Sequence, residues 1–280
     1  MSTPYYAPPL CNLAYIRRDR QFQSSETADD ALLHSYILEA SADFGHEGLQ
    51  RVCAPYIDSQ EVGIDKRYGR ELWVDDLLAI TTLTNAGGSI IGSGSYNLRP
   101  RNVYPKDTIE LTAQSGAYWD FPYVDSSVTV DGTFGYVPHY GAHLRNSGVT
   151  IPAGNLSSSA TTLALGTGQG ANFSAGDILF VDNEAMYVTP FTADTLVLER
   201  GQLGTTAAAH TSGAVMYLYQ QLADIQMAVR LIVGYYYKSR PEIGARVTVY
   251  NGGVVTTADL DPAVERIRKK HRRSQRILAV

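Results

Sequence analysis

The run Val128-Thr129-Val130-Asp131-Gly132-Thr133-Phe134-Gly135-Tyr136 opens inside a short strand, Ser127 to Val130. Asp131-Gly132 then reads as a turn before a second extended piece, Thr133 to Tyr136. Upstream the texture is already β from Glu61. Glu71 to Val74 and Leu77 to Thr84 alternate or run β-branched, with Asp75-Asp76 as a loop between them. Asn85-Ala86-Gly87-Gly88 is a strong turn signal, and Ser89 to Ile91 and Asp107 to Thr112 add short strands.

Helical patterning flanks this block. Residues 1 to 25 hold three prolines and read as an extended arm. Thr27 followed by Asp30 resembles a capping signal, and Leu33, Tyr36 or Ile37, Ala40 and Phe44 recur at helical spacing. That helix should break near Gly45 and resume around Leu49 to Cys53, before Pro55. Far downstream, Leu222, Ile225, Val229, Ile232 and Tyr236 form a stripe widened by Ala228, Leu231 and Tyr235, the mark of a helix buried on most of its surface. Gly234 within it permits close packing. Arg246 to Tyr250 and Val254 to Thr257, joined by Asn251-Gly252-Gly253, read as a hairpin. Asp261 then caps a last helix with Pro262 at its first position. Val264, Ile267, His271, Ser274 and Leu278, spaced 3, 4, 3 and 4 apart, make a narrow seam in it, surrounded by Arg and Lys.

Between these parts, residues 149 to 218 are rich in Ser, Thr, Ala and Gly. Evenly spaced strands are expected at Leu163 to Leu165, Asp177 to Val181, Ala185 to Thr189, Thr195 to Leu198 and Ala214 to Leu218, as in a small antiparallel sandwich or barrel. This segment reads as an insertion, because helical patterning resumes right after it.

The chain has 280 residues, 44% of them hydrophobic, which excludes disorder, collagen and a disulfide-stapled miniprotein. Two cysteines, Cys11 and Cys53, make at most one bridge, and a reduced, cytosolic site of synthesis is expected. The first residues lack the basic and apolar regions of a signal peptide, and the run Ile225 to Tyr237 is short of a membrane span. A soluble protein is expected. The net charge of −5 is uneven: Glu265 to Arg276 carries seven Lys/Arg and one acid, +6, and the other 16 bases and 27 acids sum to −11.

Enzyme signatures are missing. No nucleophile elbow, P-loop, H-E-x-x-H or dinucleotide fingerprint occurs, and Gly92-Ser93-Gly94 and Gly166 to Gly170 read as plain turns. His139 and His143 have metal-ligand spacing, but Pro138 and Gly141 argue against the helix that would align them. Asp29-Asp30 suits a helix start, Cys11 has no activating base nearby in sequence, and Cys53 sits where a buried helix residue would. No enzyme, cofactor or metal is expected.

The order of elements resembles the head–tail connector (adaptor) proteins of tailed double-stranded DNA phages. The resemblance rests on Tyr68 to Ile80 (Y-G-R-E-L-W-V-D-D-L-L-A-I), Tyr96-Asn97-Leu98-Arg99-Pro100, Ile109-Glu110-Leu111, the run Val128 to Tyr136 and the apolar helix Asp224 to Arg240. It covers residues 27–140 and 219–275. Separately, Asp182 to Val188 and Thr195 to His210 (T-L-V-L-E-R-G-Q-L-G-T-T-A-A-A-H) resemble small β-modules of phage tail and baseplate proteins.

This resemblance implies an α+β protein: a helical bundle with a small antiparallel β-subdomain, plus an inserted all-β module and a C-terminal basic helix. The implied division is an arm at 1–26, a connector core at 27–148 and 219–260, the β-barrel or sandwich module at 149–218, and an anchor helix at 261–280. It further implies a structural virion protein of the neck, made in the host cytoplasm. Identical subunits would form a ring, usually about twelve-fold, below the portal protein. That ring would extend the DNA channel for genome ejection, without sequence-specific DNA binding, and carry the next tail component, a stopper, nozzle or tail tube. No membrane is involved. The portal anchor would be Val264, Arg266, Ile267, Arg268, Lys269, Lys270, His271, Arg272, Arg273, Arg276, Ile277 and Leu278. Gly132, Phe134, Gly135, Tyr136 and Gly234 would be structural, the two aromatics pinning the β-subdomain onto the long helix. Two other classes fit the residues: a tail or baseplate adhesin using the β-module, and a nucleic-acid-binding module using the basic C-terminus.

Overall fold

The computed structural model of the chain describes residues 6–19, 22, 27–64, 69–113, 116–120, 127–239, 247–250, 253–256 and 261–273. Tyr68, Arg240, Arg246, Asn251, Gly252, Thr257, Ser274, Arg276, Ile277 and Leu278, all named above, lie outside the described residues. The protein is mostly β, 35% strand against 27% helix, in antiparallel sheets of five and six strands. This overturns the expected helical bundle with a small β-subdomain.

The cause lies in strands that the sequence divides or hides. β2 (Glu71–Thr84) runs through Asp75-Asp76 without ending. Asp76 takes a left-handed φ of 47°, and the pairing of β2 with β4 (Lys106–Leu111) shifts register there, so the apparent loop is a bulge within a strand. β5 (Ser127–Phe134) likewise passes through Asp131-Gly132. Gly132 serves close approach and makes no turn: a Cβ there would overlap the Ala79 carbonyl oxygen of β2. The true corner is one residue beyond the strand, where Gly135 has φ 134° and its backbone lies against the Ala54 carbonyl.

The chain divides into two compact units. The first comprises Met1–Tyr6, Arg51–Leu144 and Leu203–Thr206. Its sheet has the order β1 (Tyr56–Gly63), β5, β2, β4, β3 (Tyr96–Arg99). Val128, Val130, Gly132 and Phe134 are buried on one face of β5, joined by Leu72, Leu83 and Ile109 from the neighbouring strands. The other face shows Thr129, Asp131 and Thr133, half-buried, so alternation runs straight through the place where the sequence reading put a turn.

The second unit comprises Ala7–Gln50, Arg145–Gln202 and Ala207–Val280. Its sheet has the order β6 (Leu144–Thr150), β11 (Val215–Tyr219), β8 (Ile178–Val181), β9 (Glu184–Thr192), β10 (Thr195–Gln202), β7 (Thr162–Ala164). Five of these match the expected strands; β6, polar in sequence, was not expected. Val149, Leu163, Leu179, Val181, Met186, Val188, Leu196 and Met216 fill the core of this sheet.

The helices belong to this second unit. α1 (Leu13–Ile16) is capped by Asn12, whose side chain accepts from the Tyr15 N–H at 2.8 Å. The Asn12 amide also donates to Asp177 (2.6 Å), and the Leu13 N–H donates to the Ala175 carbonyl (2.8 Å). Leu10, Cys11, Leu13 and Ile16 are buried, so this stretch is docked core where an extended arm was expected. α2 (Asp30–Ala42) follows a single 3-10 turn at Thr27–Asp29. Asp30 pairs with Arg17, and Asp29 accepts from the Tyr237 hydroxyl at 2.6 Å. Gly45 does not break the helix. The chain widens into a π-helical segment, Asp43–Leu49, and stops at Gln50 with φ 57°. α3 (Ala223–Ser239) buries Ile225, Ala228, Val229, Ile232 and Val233 and packs against α1 and α2. The hairpin strands β12 (Val247–Tyr250) and β13 (Gly253–Thr256) pair as expected.

Candidate functional site: the C-terminal basic helix

α4 (Pro262–His271) starts where the sequence places it. The Asp261 carboxylate accepts from the Ala263 N–H at 2.8 Å, and Pro262 occupies the first turn, where a missing N–H costs nothing. Glu265 lies near the positive end of the helix dipole and Arg268, Lys269, Lys270 and His271 near the negative end.

The helix has two faces. Val264, Ile267 and His271 are buried, while Arg266, Lys269, Lys270 and Arg272 are exposed. The seam expected to enter a partner's groove is thus occupied inside the chain, packed against α3 and the π-helical segment. Asp224, in the first turn of α3, accepts from Lys270 Nζ at 2.7 Å and from His271 Nε2 at 2.6 Å. Burial alone would raise the Asp224 pKa, but these two donors outweigh it and hold the carboxyl below its ordinary value. Arg268 donates to Glu265 (2.6 Å), and its Nε lies 2.9 Å from where a Cβ on Gly48 would stand, so that glycine leaves room for the guanidinium. The Arg273 N–H reaches the Leu49 carbonyl at 3.1 Å. What α4 offers outward is a stripe of positive charge.

The other structural residues fall within the first unit, except Gly234, which is buried in α3. Phe134 is fully buried with its ring 6.0 Å from that of Tyr56, and Tyr136 carries the Arg51 guanidinium 4.3 Å over its ring. Arg51 also pairs with the buried Asp76 at 3.3 Å.

Sequence reasoning missed a buried charge cluster in the β-module. Arg200 donates through Nε and Nη2 to both oxygens of Glu184 and through Nη1 and Nη2 to the carbonyls of Ser157, Ala160 and Ala208. Glu184 also accepts from the N–H groups of Gly201 (3.0 Å) and Ala208 (2.9 Å). His210 bridges Glu184 and Asp182 at 2.8 Å each. Burial pushes the Glu184 pKa up, yet Arg200, Ala208, His210 and Gly201 together bring it down to about 2. The signal available in sequence was charge inside otherwise apolar strands: Glu184 at the start of β9, Arg200 in β10 and a lone histidine beyond. Every donor of Arg200 is used, so the cluster clamps the start of the segment after β10.

His143 stacks on Tyr140 with centroids 4.7 Å apart, and burial, then His139, lower its pKa to about 4. Among the described residues no His, Cys, Asp or Glu group is arranged to hold a metal ion. Cys11 and Cys53 are buried and not joined in a disulfide, and burial raises the pKa of each thiol to about 12. The Gly166–Gly170 turn is tied down by Asp194, which accepts from the N–H groups of Gly168 (2.9 Å) and Gly170 (2.7 Å).

No protein-family model matches the chain, and no curated protein matches it.

Proposed function

We propose that this chain is a structural protein of a phage neck, a head–tail connector that stacks as a ring below the portal, extends the DNA channel and supports tail attachment. The observation that carries this reading is the exposed basic surface at α4: Arg266, Lys269 and Lys270 on a capped helix, with Arg272 just past its end. Such a surface suits an acidic partner. The resemblance of the runs Val128–Tyr136 and Glu71–Ile80 to connectors supplies the partner class. The acidic remainder of the chain suits a conduit wall, because like charge keeps DNA from adhering as it passes.

The experiment is a pull-down on immobilised portal protein at moderate salt, comparing the full chain with a chain truncated after Leu260. Capture of the full chain and loss of the truncated one is the expected result. Equal capture of both rejects α4 as the anchor. Tight, steeply salt-dependent binding of the full chain to duplex DNA with no capture by portal favours a nucleic-acid-binding module in its place.

A further inference from the structure

We propose that α4 is a detachable helix, held to its own chain by a polar clasp on Asp224. The apolar side chains that α4 buries are only Val264 and Ile267, whereas α3 buries five. The cost of local opening follows the apolar surface exposed, so α4 opens far more readily than the helix it rests on. What holds it is directional. Lys270 Nζ and His271 Nε2 converge on the same Asp224 oxygen, Oδ2, and the Arg273 N–H reaches the Leu49 carbonyl. Lys270 is 66% exposed, so water competes for one half of the clasp.

Opening turns a one-faced helix into a two-faced one. Val264 and Ile267 come out as an apolar seam with His271 in line and Arg266 and Lys269 flanking it, a peptide suited to an apolar groove with an acidic rim. The docked state keeps that seam from self-association until a partner offers a better cover. Detachment is a property of the chain alone; use of the freed seam on a portal rests on the connector reading above.

Hydrogen exchange on the full chain without portal tests it, so failure here is separate from failure of the pull-down. The α4 amides are expected to exchange about 100-fold or more faster than the central amides of α3. Asp224→Asn and Lys270→Gln should each speed α4 exchange several-fold while leaving α3 unchanged. Lys270→Gln, at an exposed side chain, keeps the test valid if Asp224→Asn disturbs the start of α3. Exchange of α4 on the same time course as α3, or rates that neither variant alters, overturns the proposal.

Discussion

Arg200 and Glu184 meet side-on, with Nε and Nη2 of the guanidinium each 2.7 Å from one carboxylate oxygen and both side chains almost fully buried. Such a pair does not gain much over two well-packed apolar side chains, but losing one member strands the other charge. Arg200→Met is expected to cost about 3–5 kcal/mol, read as a lower urea midpoint, because Glu184 then keeps a buried charge without its guanidinium. Replacing both residues by apolar ones of similar volume should cost less than the single change. A single variant as stable as wild type would show that the cluster holds nothing.

The same pair sets the acid limit. Glu184 has a folded pKa of about 2 against an ordinary value of 4.5. Its contribution is present in full above the unfolded value and is lost as pH falls from about 4.5 to 2. It amounts to about 3 kcal/mol for a shift of this size. Urea midpoints across that range should fall in wild type and fall less when both residues of the pair are made apolar.

Gly132 and Gly135 have different reasons to be glycine. Gly132→Ala drives a methyl into the Ala79 carbonyl in the middle of the sheet and should cost about 1–3 kcal/mol or more by overpacking. Gly135→Ala meets the Ala54 carbonyl and a φ of 134° together, so it should be the more damaging. Thermal unfolding of the two variants gives the ranking, and equal melting temperatures would contradict it.

Burial and raised pKa values make both thiols inert. A thiol reagent at pH 8 should label neither Cys11 nor Cys53 in the native chain and both after denaturation. Prompt labelling of one would show that its surroundings open readily.

The fold class was not legible in the sequence, since two antiparallel sheets stand where a helical bundle was expected, but several of its elements were. The stripe of α3 and the seam of α4 were plain, because helical periodicity persists over ten or more residues and buried faces follow it. The five β-module strands were legible because turn residues punctuate them. What misled was local chemistry with two structural uses. Asp131-Gly132 and Asp75-Asp76 carry turn residues, yet one fits a close strand crossing and the other a bulge, and both depend on a partner strand distant in sequence. β6 was invisible because only Ser147 and Val149 of it are buried. The described part of the α4 seam, Val264, Ile267 and His271, is buried, but sequence does not say which surface covers it. The split into a basic end and an acidic body also changes meaning, since Lys270 and His271 at the basic end are bound to Asp224 of the body.

The central claim is association with a portal. Negative-stain imaging of the purified chain mixed with portal rings tests it most directly. The account predicts a second ring of density stacked coaxially on one end of the portal, absent when the chain ends at Leu260. Portal rings unchanged by the full chain at low salt would contradict it.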